Sequence, residues 1–170
     1  MEKANAPGMS APIQLHAIPA IGIFKHVDAD IRRRLVQAGE FKVVPAHTPL
    51  ATQGEPHSEM SLIISGKIGI YAHANAQTVQ LAELGAGQTV GEMAVIDPHP
   101  ASADVIVLER AELWAVSREK FERFLEGDCA AGYALMHLLA KELCHRLRMN
   151  SETMLRQAEQ VRDSFLDRDY

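Results

Sequence analysis

Residues 85–103, Gly-Ala-Gly-Gln-Thr-Val-Gly-Glu-Met-Ala-Val-Ile-Asp-Pro-His-Pro-Ala-Ser-Ala, collect the residue types that could hold a small anion. Glycines at 85, 87 and 91 permit positive φ and close backbone approach. Val90 and Gly91 lead into Glu92-Met93-Ala94, which can wind one helical turn whose free N–H groups point at a ligand. Ala101, Ser102 and Ala103 would close this cradle with little bulk. Ser102 offers a hydroxyl, and Glu92 is the strong acceptor of the turn, suited to a ligand hydroxyl. The chemistry in view is binding, with a phosphate held by backbone dipoles. A plain Gly/Pro-rich bend between two strands has the same composition. The local charge is also adverse, because no lysine or arginine lies between Lys67 and Arg110, whereas Glu83, Glu92, Asp97, Asp104 and Glu109 do. An anion here must rely on backbone dipoles, on charge borrowed from elsewhere in the chain, or on a protonated His99.

The elements that must position this segment read as an α+β chain. Between Glu40 and Ser117 the apolar period is two, in runs at 41–44, 49–51, 59–64, 68–72, 78–84, 105–108 and 113–116. Ser65-Gly66-Lys67 reads as a hairpin signal and Ala74-Asn75-Ala76 as another turn. Short strands at this spacing predict an eight-stranded antiparallel β-roll of jelly-roll type. Residues 1–12 are expected to form a loose arm, 13–127 the roll with its flanking helices, and 128–167 a long helix of the same domain. Near the start, a helical turn over 17–26 packs Ile21, Ile23 and Phe24. Asp28 caps a helix with Ile31, Leu35 and Val36 on one face and Arg32, Arg33 and Arg34 mostly in water. Ser117 opens a further helix, whose apolar face is Phe121, Phe124 and Leu125 and which Gly127 ends.

The long helix carries a seam of Met136, Leu139, Leu143, Leu147, Asn150, Met154, Ala158, Val161 and Phe165, at spacings of three and four. Its first half can lie on the roll. Beyond Leu147 a second copy of the same helix is the expected cover, which predicts a parallel homodimer.

The cradle resembles the phosphate-binding cassette of the cyclic nucleotide-binding domain, the module of the catabolite activator protein and of cyclic-nucleotide-dependent kinases. The residues that carry the likeness are Val90-Gly91-Glu92-Met93-Ala94-Val95 and Pro100-Ala101-Ser102-Ala103-Asp104. Gln53-Gly54-Glu55-Pro56, Ile63-Ile64-Ser65-Gly66 and Ser117-Arg118-Glu119-Lys120-Phe121 extend it over roughly residues 20–155. His47 stands where relatives often have glycine. Ala101 stands where the family places the arginine that pairs with the cyclic phosphate, and the sequence leaves open whether His99 or an arginine of the long helix replaces it. The resemblance implies a cyclic nucleotide as ligand, held between cradle and long helix, with Asn150 and Ser151 at the place that reaches the purine edge. It also implies a non-catalytic sensor. No winged helix-turn-helix follows the long helix within these residues, so the expected output is through a protein partner rather than DNA.

Composition agrees with a globular domain. The chain has 170 residues, 47% of them hydrophobic, with a net charge of -5 that gives no basic footprint for nucleic acid or anionic membrane. Two cysteines, Cys129 and Cys144, match no metal spacing and suit a reducing cytoplasm. No signal peptide or membrane span is apparent. Eight histidines are scattered with no metal-ligand or nucleophile motif, so neither catalysis nor a metal is expected, and no resident cofactor is indicated. Some relatives of this fold bind haem; His73, His99 and Cys144 could serve as axial ligands, but nothing selects them. The rival reading is structural: a dimerisation module whose pocket has lost its ligand along with its arginine.

Overall fold

The structure, a computed structural model, describes residues 17–75 and 77–166, apart from the side chains of 161 and 163–166. The arm expected at 1–12 lies outside them. A 3-10 turn (Gly22–His26) leads to helix α1 (Ala29–Val36), then to strands β1 (Glu40–Val44), β2 (Pro49–Ala51), β3 (Glu59–Ala74), β4 (Gln77–Leu84) and β5 (Thr89–Val90). Helix α2 (Glu92–Ile96), strand β6 (Asp104–Ser117), helix α3 (Arg118–Gly127) and helix α4 (Cys129–Leu166) complete it. The strands are antiparallel in the order β1-β6-β3-β4, with β2 added to β6 and β5 to β3.

The architecture is α+β as expected, but six strands form among the described residues rather than eight. The runs at 59–64 and 68–72 belong to the single strand β3, and those at 105–108 and 113–116 to the single strand β6. Ser65-Gly66-Lys67 is therefore not a hairpin. Both long strands stay paired across it through register shifts between Ile63 and Ser65, between Ser65 and Lys67, and between Lys67 and Ile68. Gly66 at φ 90° lets β3 bend there instead of reversing. The bend has no room for a side chain, since a Cβ on Gly66 would stand 2.5 Å from the Arg110 carbonyl oxygen.

Alternation along β3 and β6 sends residues to two separate cores. Met60, Leu62, Trp114 and Val116 meet the helices, joining Phe24, Leu35, Phe121, Leu135 and Leu139. Ile63, Ile68, Val105, Val107 and Leu113 fill the inside of the roll with Val44, Leu84 and Val90. Phe24 meets Trp114 edge to face at 6.3 Å. β4 departs from the expected alternation: it is the sheet edge, and every residue but Leu84 is exposed. His47, at the position where glycine was noted as usual, sits at φ 64°.

The expected caps form. Asp28 accepts from the Asp30 amide at 2.7 Å, and Ser117 from the Lys120 amide at 3.4 Å. Asp128 accepts from the Ala131 amide at 2.9 Å and so starts α4 directly behind α3. Arg32 turns back to donate to the carbonyls of Ile18 and Val27, and Arg34 pairs with Asp128. Two of the three arginines thus tie the N-terminal segment and α3–α4 junction together.

The 38 residues of α4 extend about 57 Å at ~1.5 Å per residue. Ala131, Leu135 and Leu139 are buried against the roll, while Leu147 is 67% and Met154 70% exposed. Val161 and Phe165, the last expected seam positions, lie outside the described side chains.

Replacing Gly66 with alanine is expected to lower stability by about 2 kcal/mol, combining positive φ with the backbone clash, and the melting temperature by roughly 4–8 °C. Thermal unfolding followed by circular dichroism checks this; an unchanged midpoint would mean that the bend tolerates a side chain.

Candidate functional site

The 85–103 segment wraps over one end of the roll and stays open. Gly87 and Gly91 adopt φ 85° and 80°, the left-handed conformation that the sequence pattern asks for. Gly91 also passes so close to the 57–59 strand entry that a Cβ would stand 2.2 Å from the Glu59 carbonyl oxygen. That approach turns the chain into α2, with Gly91 as its N-cap. On the return side, the Ala101 amide donates to the Glu55 carbonyl at 2.9 Å and the Gly54 amide to the Ala101 carbonyl at 2.8 Å. The turn at 53–56 therefore anchors the 101–103 end. Asp104 accepts from the Gln53 amide at 2.7 Å and meets His73 Nε2 at 2.7 Å. The Gln53 amide, with His73 beside it, holds the Asp104 carboxyl below the usual carboxylate range.

Between this segment and α4 lies a cavity of about 750 Å³. Val90, Gly91, Glu92, Met93 and Ala94 line one wall, and Ala101, Ser102 and Ala103 another. Glu142, His145, Arg146, Met149 and Asn150 of α4 close the third. The volume is within the roughly 300–1,000 Å³ of small-molecule sites. Val90, Ala94 and Ala103 are buried, Ala101 is half-buried against the roll core, and Ser102 and Met93 are exposed at the rim. Asn150 lines the cavity. Ser151 does not: it is exposed and its hydroxyl donates to the Leu147 carbonyl of its own helix at 3.0 Å.

Glu92 points inward and is 3% exposed. Its Oε1 accepts from the Thr89 hydroxyl and stands 3.0 Å from Arg146 Nη1. The same guanidinium donates from Nη2 to the Thr89 carbonyl at 2.8 Å and from Nε to Glu142 Oε1 at 3.1 Å. One arginine of α4 thereby grips the cassette by a side chain and a backbone group together. A buried carboxylate without such a partner would be costly, so Arg146 fixes where α4 rests.

Arg146 was not among the residues singled out in the sequence. Its signal was its spacing, four before Asn150 and four after Glu142, which puts all three on one helix face. His99, the other candidate cation, is 73% exposed and sits 3.1 Å from Asp97, itself 69% exposed. Of the conceivable haem ligands, His73 is engaged by Asp104 and Thr78, and Cys144 is exposed; neither lines the cavity. No cluster of three or more metal-binding side chains occurs among the described residues, and no described helix is long and apolar enough to cross a membrane.

Comparison with known proteins bears on the same segment. The family model described as "cyclic nucleotide-binding domain" matches residues 41–128. The chain is 35% identical over 118 residues to a Pycsar effector protein of Xanthomonas perforans, which covers 69% of this chain and 38% of that protein. It is 31% identical over 103 residues to the cyclic AMP receptor protein of Thermus thermophilus, 60% of this chain and 48% of that one. It thus spans less than half the length of these relatives. Among solved structures, a cyclic nucleotide-binding domain from Methylobacillus flagellatus superposes with a TM-score of 0.72 at 25% identity, covering 75% of this chain and 72% of that one. The match to the family model takes in half of the sequence and both walls of the cassette, and the chain belongs to the cyclic nucleotide-binding domain family.

Proposed function

We propose that the chain is a non-catalytic regulatory sensor that takes a cyclic nucleotide into the cavity between cassette and α4. The observation that carries this reading is that the two walls face each other across an open cavity of ligand size and are joined there by Glu92 and Arg146. In this reading the amides at the start of α2 and the Ser102 hydroxyl take the phosphate, Glu92 a sugar hydroxyl, and Asn150 a purine edge. A ligand hydroxyl on Glu92 must share that carboxylate with Arg146, so occupancy of the cassette shifts the resting position of α4. That differential contact is the signal.

The exposed half of α4 is the output. Leu147, Met154 and Leu155, 66–70% exposed, suit a parallel pair of such helices, and a change in their angle would pass to a protein partner. A cytoplasmic homodimer is the assembly this reading requires. One observation favours a second reading, a ligand-free dimerisation module: Ala101 leaves the return side of the cassette without a cation.

Calorimetry with cyclic AMP and cyclic GMP separates the two. Micromolar binding is expected, and silence up to millimolar would favour the structural module. Ala101→Arg is expected to tighten cyclic AMP by about tenfold or more. An unchanged affinity would mean the phosphate sits elsewhere. Arg146→Met is expected to weaken cyclic AMP at least about tenfold and to destabilise the fold by about 2 kcal/mol, a figure reduced because the guanidinium is partly exposed. Binding that survives this change would detach α4 from the ligand. Sedimentation at tens of micromolar should give a dimer that Leu147→Glu with Met154→Glu converts to monomer; a wild-type monomer contradicts the paired helix.

A further inference from the structure

We propose, resting on the reading that this cavity takes a cyclic nucleotide, that His57 supplies the cation missing at position 101, so that the phosphate binds together with a proton. The charge around the cavity requires some such device. Its lining carries four carboxylates, Glu83, Glu92, Asp97 and Glu142, against the single guanidinium of Arg146. Arg146 is already shared by Glu92 and Glu142, and Lys67, outside the lining, stands 3.3 Å from Glu83. An anion entering a cavity of this balance meets net repulsion unless an imidazole takes up a proton.

Three histidines line the cavity, and their surroundings separate them. His99 is well exposed and faces Asp97. His145 is exposed on α4. His57 is half-buried, and no hydrogen bond or ion pair engages it among the described residues. It sits between the two ends of the cassette. Its Nε2 is 3.1 Å from where a Cβ of Gly91 would lie, and the Glu55 carbonyl, two residues before it, holds the Ala101 amide. On its other side His57 borders a second hollow of about 480 Å³, whose charged residues besides His99 are Arg118 and Glu119. Arg118 is 3.4 Å from Glu122, and nearby Glu59 is paired with Lys42 at 2.7 Å, so neither competes for the imidazole.

An imidazole ordinarily titrates near 6.5, within reach of a bound anion's influence at neutral pH. A cyclic phosphate beside it favours the charged form. Binding therefore draws a proton from solvent and strengthens as pH falls.

The test is calorimetry of the full chain with cyclic AMP at about pH 8 and about pH 5.5, each in two buffers of different ionisation enthalpy. The expected result is an affinity about tenfold tighter at the lower pH, with a fraction of a proton taken up on binding, about 0.4 on average across the interval. His57→Gln should abolish this dependence and His137→Gln, on the outer face of α4, should retain it. Adenosine, which lacks the phosphate, should bind without proton uptake. Equal affinity at both pH values, or a dependence that survives His57→Gln, would overturn the proposal while leaving cyclic nucleotide binding intact. No binding at either pH up to millimolar would overturn both. Should His57→Gln fail to fold by circular dichroism, an imidazole titration of the wild-type His57 by NMR decides, since its pKa must rise when cyclic AMP is added; an unmoved titration rejects the idea.

Discussion

A carboxylate only 3% exposed has to be answered by a cation, and here the cation comes from the other end of the chain. Glu92 and Arg146 are 3.0 Å apart, yet they belong to the helix of the cassette and to the long C-terminal helix. Their contact sets the height of α4 above the roll, keeps the cavity walls facing each other, and makes the resting place of the helix depend on what else Glu92 touches. Both the Thr89 hydroxyl and the Thr89 carbonyl join the same knot, so β5 and α2 are tied to it.

The rest of the architecture can be understood as support for that knot. The helix-side core built on Trp114, Phe121, Leu135 and Leu139 pins the first half of α4, and beyond it Arg146 ties the helix to Glu92 and to the Thr89 carbonyl. The roll-side core, with Val90, Val105 and Leu84, holds the cassette from beneath. Between these two apolar layers cassette and α4 meet through charged contacts, which in the proposed sensor would let the helix shift. Small differences in contact, of about 1–3 kcal/mol, are enough to bias such an equilibrium.

Much of this was legible in the sequence because it depends on local rules. The period of two, the caps at Asp28 and Ser117, the left-handed glycines at 87 and 91, and the burial of Leu139 on the roll each follow from residues close in the chain. What failed did so for tertiary reasons. Ser65-Gly66-Lys67 has the composition of a hairpin, but partner strand β6 runs past it on both sides, and the glycine only bends β3. Expected alternation in β4 has no second layer to bury it. In the site, Glu92 and Ala101 could be found from the motif, whereas Arg146 and His57 are brought in from 54 residues after and 35 before Glu92 by pairing that no local pattern announces. Ser151 shows the converse: adjacent to Asn150 in sequence, it turns away because a helix places neighbours about 100° apart.

Amide hydrogen exchange with and without saturating cyclic AMP tests the coupling most directly. If Glu92 and Arg146 join ligand to helix, residues 91–103 and 142–150 must gain protection together, while β1 and the buried start of α4 stay as they were. Protection confined to the cassette, with residues 142–150 unmoved, would contradict a ligand signal carried by the long helix.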